Sequence, residues 1–160
     1  MRKFEKISFD QFKKDVCDDI KLYEEYSLPK RKTKYSAGYD ICSLIDYVLK
    51  PNESITIATG FKYISPTDEM FMIVIRSSLG FKHNIRLVNQ VGIIESDYYN
   101  NESNEGHVMV KIKNEGDSDF VIKKGEAIAQ GIFVKFLTVD DEEEINNIRK
   151  GGFGSTNKGE

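Results

Sequence analysis

The chain has 160 residues, a length that suits one domain. Apolar residues make up 39%, and counting the 12 glycines raises the share to about 46%, within the usual range for a globular domain. The chain can therefore build a core, and intrinsic disorder is excluded as its general state. The net charge of −3 supplies no broad attraction for nucleic-acid phosphates, so an anionic ligand would need a local cation.

The N-terminal stretch MRKFEKISFDQFKKD contains no apolar signal-like run, and no later run is long enough to span a bilayer. A soluble, cytoplasmic protein without a membrane or nucleic-acid partner is expected. Phe9, Phe12, Val16, Ile20 and Tyr23 recur at steps of three and four, which predicts a helix over 8–24. Ser8 and Gln11 have the spacing of a capping box at its start. Residues 24–36 are polar, carry Pro29 and read as an exposed connection. From Ala37 to about Leu137 the character changes to short β-branched runs: ITIATGFKYI, MFMIVI, IRLVNQVGII, HVMVKI and IAQGIFVKFL. Turn residues such as Pro51-Asn52 and Lys123-Lys124-Gly125 separate them. Many short antiparallel strands follow, hence a sandwich, jelly roll or barrel. DDEEEINNIR (140–149) could form a second helix or a turn, and the Gly-rich end, KGGFGSTNKGE, should be mobile unless a ligand orders it.

Two cysteines, Cys17 and Cys42, cannot make a disulfide framework. His83 and His107 lie far apart, and neither Cys-x-x-Cys nor His-x-x-x-His occurs, so no nitrogen/sulfur metal cage is expected. A hard cation held by oxygens stays compatible. Five segments could carry chemistry. GGFGST (151–156) offers closely spaced backbone N–H groups, two hydroxyls and one ring, a set that can wrap a phosphate. RSSLG (76–80) places an arginine fork and two hydroxyls after a strand. NQVGIIESDYYNN (89–101) holds Glu95 and Asp97 on one face at strand period, and two like charges side by side shift one pKa or bind a cation. AGYD (37–40) sets Asp40 before an apolar strand, and GEAIAQ (125–130) ends on Gln130. Singly, each also reads as an ordinary loop, turn or tail.

Read in order, SAGYD (36–40), IRSSLG (75–80), NQVGIIESDY (89–98), GEAIAQ (125–130) and KGGFGST (150–156) resemble the motif series of the trimeric dUTP diphosphatases, the dUTPases. The match covers residues 29–157, and LPKRKTKYSAGYD with the insert YYNNESNEGH resembles a Gram-positive bacterial and phage branch. The resemblance implies an all-β, distorted jelly-roll-like β-barrel in one domain, 1–160. Its parts would be an N-terminal helix (8–24), the barrel (29–139) and a mobile C-terminal arm (149–160). It also implies a homotrimer with active sites at subunit interfaces, each closed by an arm. The implied reaction is hydrolysis of dUTP to dUMP and pyrophosphate, lowering dUTP and supplying dUMP for thymidylate synthesis. Mg²⁺ would arrive on the triphosphate.

By position, the resemblance assigns Glu95, Asp40 and Arg76 to catalysis, with Asp40 acting on the metal through water or by orienting Arg76. Asn89, Gly92 and Ile94 would lie along a hairpin whose main chain pairs with uracil, and Tyr98 would pack under the deoxyribose. Ser77, Ser78 and Gln130 would contact phosphates, with Arg149, Ser155 and Thr156 reaching the β- and γ-phosphates. Phe153 would stack on the base beside Gly154.

The sequence also departs from the family pattern. Glu95 stands where the family usually has the aspartate that activates water, and its carboxylate is one methylene longer. Three readings follow: Glu95 does the same work, it slows turnover while binding survives, or Asp97 takes over. Slowed turnover would suit a dUTP-binding protein acting through partners, and dCTP deaminase shares the fold. Ala127 replaces the usual arginine of the fourth motif, and Asn157 replaces the closing glycine of the fifth.

Overall fold

The computed structural model describes residues 1–147, 149, 151 and 152. In chain order the elements are β1 (Lys3–Lys6), α1 (Phe9–Asp15), α2 (Ile20–Glu25), β2 (Tyr39–Cys42), β3 (Tyr47–Leu49), β4 (Ser54–Ala58), β5 (Phe61–Ile64) and β6 (Glu69–Ile75). Then follow α3 (Ser77–His83), β7 (Ile85–Leu87), β8 (Gly92–Glu95), a 3₁₀ turn (Ser96–Tyr98), β9 (Met109–Asn114), β10 (Phe120–Ile122) and β11 (Ala127–Lys135). Every strand pairing is antiparallel. The all-β, jelly-roll-like expectation holds. Among the described residues, however, the ladders form four sheets and do not close into one barrel: β2-β11-β6-β8, β4-β9-β7, β1-β5 and β10-β3.

The core follows from period-two burial along β6. Phe71 is fully buried, with Phe4, Tyr63 and Phe133 rings 5.0–5.5 Å away, centroid to centroid. Aromatic packing at such tilted geometries adds to the area buried. Gly131 of β11 faces this cluster, and any side chain there would run into the Phe71 ring. Arg2, beside β1, pairs with the buried carboxylate of Glu69.

Several local expectations change. The single helix over 8–24 is two helices, α1 and α2. Asp19 breaks it, because its carboxylate accepts from Leu22 N at 3.0 Å and caps α2. Aspartate gains more at an N-cap than inside a helix. Phe12 is fully buried as the apolar stripe predicts, but Ile20 is half exposed, and Leu22 and Tyr26 fill the small core with Ile7 and Leu44 instead. The capping box is half formed: Ser8 Oγ accepts from Gln11 N at 3.1 Å, while Ser8 N donates to Glu105 at 3.0 Å. RSSLG opens a helix, α3, rather than a plain loop. Within 140–149, residues 140 and 141 form a turn and the described remainder has no helix. No helix among the described residues is long and apolar enough to cross a membrane.

His107 is fully buried. Its Nε2 accepts from Gly60 N at 2.8 Å, so Nδ1 carries the proton and donates to Asp15 Oδ2 at 2.6 Å. Burial lowers its pKa below the ordinary 6.5, against the opposing pull of the Asp15 and Glu105 carboxylates. The unfolded chain takes up that proton first. Stability is therefore complete above about pH 6.5 and falls as pH drops through and below it. Urea melts between pH 7.5 and 5 should show this loss, and His107→Gln should flatten the slope in that window. An unchanged slope in the variant would assign the loss to other groups.

Candidate active site

The sequence-predicted residues gather in two cavities. Among the described residues, none lines both. The larger, about 780 Å³, lies between β8 and the β4-β9-β7 sheet, with Asn89, Gly92, Ile94, Glu95, Tyr98 and Arg149 in its wall. The smaller, about 460 Å³, is lined by Lys32, Asp40, Arg76, Ser77, Ser78 and Gln130.

The third motif builds the first cavity. Gln90 N donates to Leu87 O at 3.1 Å, Val91 N donates to Asn89 O at 2.7 Å, and Gln90 sits at φ +63°. This tight turn joins β7, in one sheet, to β8, at the edge of another. The expected hairpin is thus a turn between sheets, and no ladder joins β7 to β8 among the described residues. An edge strand leaves one row of N–H and C=O groups unpaired, which suits pairing with a planar base. Ile94 O is already engaged, accepting from the Tyr63 hydroxyl at 2.7 Å. Tyr63 is therefore a supporting residue that the motif alone does not show.

Tyr98, in the 3₁₀ turn, is buried, and burial raises its pKa. It is a neutral wall at any physiological pH. Its hydroxyl accepts from Asn104 Nδ2 at 2.8 Å and donates to His107 O at 3.1 Å. Gly152 approaches the ring so closely that a Cβ there would lie 2.7 Å from Tyr98 Cε2.

Glu95 closes β8, where its backbone pairs with Met70. Its carboxylate meets Arg149 Nη2 at 2.8 Å, and Arg149 Nε lies 3.2 Å from Asp97 Oδ1. One guanidinium thus ties both carboxylates of the motif at the cavity rim. Arg149, expected near phosphates, stands beside the base-side cavity of its own chain.

In the second cavity, Asp40 and Gln130 are register partners of β2 and β11. Gly38 permits their approach, since a side chain there would collide with Gln130. Arg76, at the end of β6, reaches Asp40 Oδ1 at 3.4 Å. The hydroxyl residues Ser77 and Ser78 follow in the first turn of α3. Asp40 Oδ2 is buried without a hydrogen-bond partner. Lys32 Nζ approaches it only to 4.0 Å. Sequence reasoning missed Lys32, although its place in the cationic run before SAGYD was visible. No cluster of three or more His, Cys, Asp or Glu forms a metal cage among the described residues. Asp40 borders this cavity with one carboxylate oxygen unpartnered, and a single hard donor of that kind fits a hydrated Mg²⁺ that arrives on an anionic ligand, keeps its waters and takes few direct protein ligands. Phe153, Gly154, Ser155 and Thr156 lie outside the described residues.

A deoxyuridine 5'-triphosphate nucleotidohydrolase of Lactococcus lactis is 44% identical over 131 residues, covering 81% of this chain and 87% of that one. The crystal structure of a dUTPase from Streptococcus mutans superposes with a TM-score of 0.70 at 35% identity, covering 86% of this chain and 98% of the other. A mutant dUTPase of Staphylococcus bacteriophage 80alpha, solved with dUpNHpp, shares the fold at 20% identity, with a TM-score of 0.67 over 92% and 97% of the two chains. Residues 24–157 match the dUTPase family model, and the chain belongs to the dUTPase family.

Proposed function

We propose that the chain hydrolyses dUTP to dUMP and pyrophosphate, lowering dUTP and supplying dUMP. The observation that carries this reading is the larger cavity itself. An unpaired strand edge, a buried tyrosine wall and a carboxylate at the rim stand together in a space of about 780 Å³. Uracil pairs with main-chain groups between Asn89 and Ile94, and the turn leaves little room for a 5-methyl group. Tyr98 lies under the deoxyribose and excludes a 2′-hydroxyl. Asp40, Arg76, Ser77, Ser78 and Gln130 form the phosphate half, with Lys32 adding a further charge. Glu95 accepts a proton from the water that attacks the α-phosphorus in line with the leaving oxygen. Arg76, held by Asp40, meets charge developing on the phosphate. Asp40 would hold Mg²⁺ through water, and the ion would supply charge neutralisation on the triphosphate when bound.

The two halves lie in separate cavities of one chain, and this supports a homotrimer in which one subunit's base pocket meets another's phosphate pocket. Exposed Val88, Val91 and Ile93 around the turn fit a contact with a second copy. Light scattering should give three chains per particle, and a monomer would break the shared-site reading. A cytoplasmic setting suits the free thiols of Cys17 and Cys42.

Incubation with dUTP, UTP and dCTP in Mg²⁺ should yield pyrophosphate from dUTP alone. Ammonia from dCTP would indicate a deaminase. Tight dUTP binding without product would indicate a binding protein acting through partners. Glu95→Gln should lower kcat on the order of 10²–10⁴-fold, the usual worth of a general base. Asp97→Asn should cost far less, and equal losses would remove Glu95 from that role.

A further inference from the structure

The N-terminal helix α1 and the loop after Tyr98 (residues 99–107) have no part in the chemistry above, yet they meet at both ends of the helix. At its start, Ser8 N and Ser8 Oγ donate to the Glu105 carboxylate at 3.0 and 2.5 Å. At its end, Asp15 Oδ2 accepts from His107 Nδ1 at 2.6 Å and from Gln11 Nε2 at 2.8 Å. The His107 ring is fixed from the other side by Gly60 N. A carboxylate–imidazole bond of this kind, formed around a fully buried ring, is strongly directional.

The loop itself is made of polar bonds rather than apolar packing. Asn101 Oδ1 accepts from Ser103 N at 3.0 Å, Ser103 Oγ at 2.6 Å and Asn104 N at 3.2 Å, while Asn101 Nδ2 donates to Tyr98 O at 2.9 Å. Asn100, Glu105 and Gly106 all lie at positive φ. At Gly106 a Cβ would fall 2.6 Å from Tyr98 O, so the loop is pressed against the tyrosine's own backbone. The only two hydrogen bonds of the Tyr98 hydroxyl among the described residues come from this loop, Asn104 Nδ2 and His107 O. A polar loop of this size has little core of its own and takes its place from its anchors.

We propose that Asp15 and His107, together with Asn104, are positioning residues for Tyr98, so that helix α1 acts as a buttress setting the gap that discriminates deoxyribose from ribose. The inference rests on the reading of Tyr98 as the sugar wall. The chain of contacts is short: Asp15 holds the His107 ring, His107 O and Asn104 hold the hydroxyl, and the hydroxyl holds the ring that lines the cavity. Displacement of a contact group by about 1 Å is enough to change selectivity strongly.

The test uses the full chain and two readouts: kcat/KM for dUTP against UTP, and, independent of turnover, the Kd of dUMP against UMP by calorimetry. Asp15→Ala should lower both ratios on the order of tenfold, through KM and Kd rather than through kcat on dUTP. Asp15→Asn keeps an acceptor for His107 Nδ1 and should restore the ratios. Ser8→Ala, which removes the hydroxyl contact to Glu105 together with the helix cap to Gln11 N, should shift them in the same direction by less. Leu22→Ala weakens the core under the same helices without touching the loop, so it should lower Tm and leave the ratios unchanged. Unchanged ratios in both Asp15→Ala and Ser8→Ala would overturn the proposal, as would an equal drop in Leu22→Ala. A wild-type chain that fails to hydrolyse dUTP would count against the parent reading alone, because the Kd ratios still decide this one.

Discussion

The seven-pair register between β6 and β11, from Ala129 opposite Ile75 to Lys135 opposite Glu69, is the constraint on which both cavities depend. It places Gly131 opposite Ile73 and beside the Phe71 ring, where a side chain would not fit. β11 carries β2 on its other side, and with it Asp40 opposite Gln130. β6 carries β8 on its other side, and with it Gly92 to Glu95. Asp40 and the Gly92–Glu95 segment therefore hang from opposite edges of one four-stranded sheet, roughly 14 Å apart at ordinary strand spacing. A one-residue slip in the central ladder would turn every side chain over and dismantle both halves together.

Each edge borders a chemically distinct cavity: polar and cationic at β2, largely apolar at β8. In the proposed trimer, stacking copies brings unlike edges together, and the apolar side chains exposed around the turn at residues 88–93 give the contact its driving force. The overall charge of −3 is compatible with an anionic ligand, because two cations, Arg76 and Lys32, stand locally beside the Asp40 carboxylate.

The strands were legible because β-branched runs at period two are a strong local signal: β5 and β7 fall inside the runs named from it, and β4, β6, β8, β9 and β11 overlap those runs to within one or two residues. The candidate site residues came from motif order, and those the structure describes stand in two groups. Long-range partnerships were not legible. Strand β1 exists because Lys3–Lys6 pairs with Phe61–Ile64 and Phe4 enters the aromatic cluster, neither of which a four-residue polar stretch announces. The break between α1 and α2 turned on one carboxylate choosing a cap over a helix interior, although the apolar spacing ran straight through it. His107 carries no local sign of its bond, since its partner Asp15 lies 92 residues away. Tertiary bonds of that separation leave no trace in local periodicity.

The extra methylene of Glu95 is best judged from the ladder. Glu95 pairs with Met70 in β8, and the Tyr63 hydroxyl holds the preceding carbonyl, so the backbone cannot retreat to compensate for a longer side chain. The adjustment must come from the side chain. It has the room, since Glu95 is 43% exposed at the cavity rim, and an added torsion lets its carboxylate fold back toward the position a shorter acid would reach. Flexibility alone would blur that position. The Arg149 guanidinium, spanning Glu95 and Asp97, removes much of it by fixing the carboxylate from one side. In the proposed reaction a glutamate here serves as base through a flexible side chain held by Arg149 on an unmoved strand, and the cost of the substitution falls on side-chain entropy rather than on the fold.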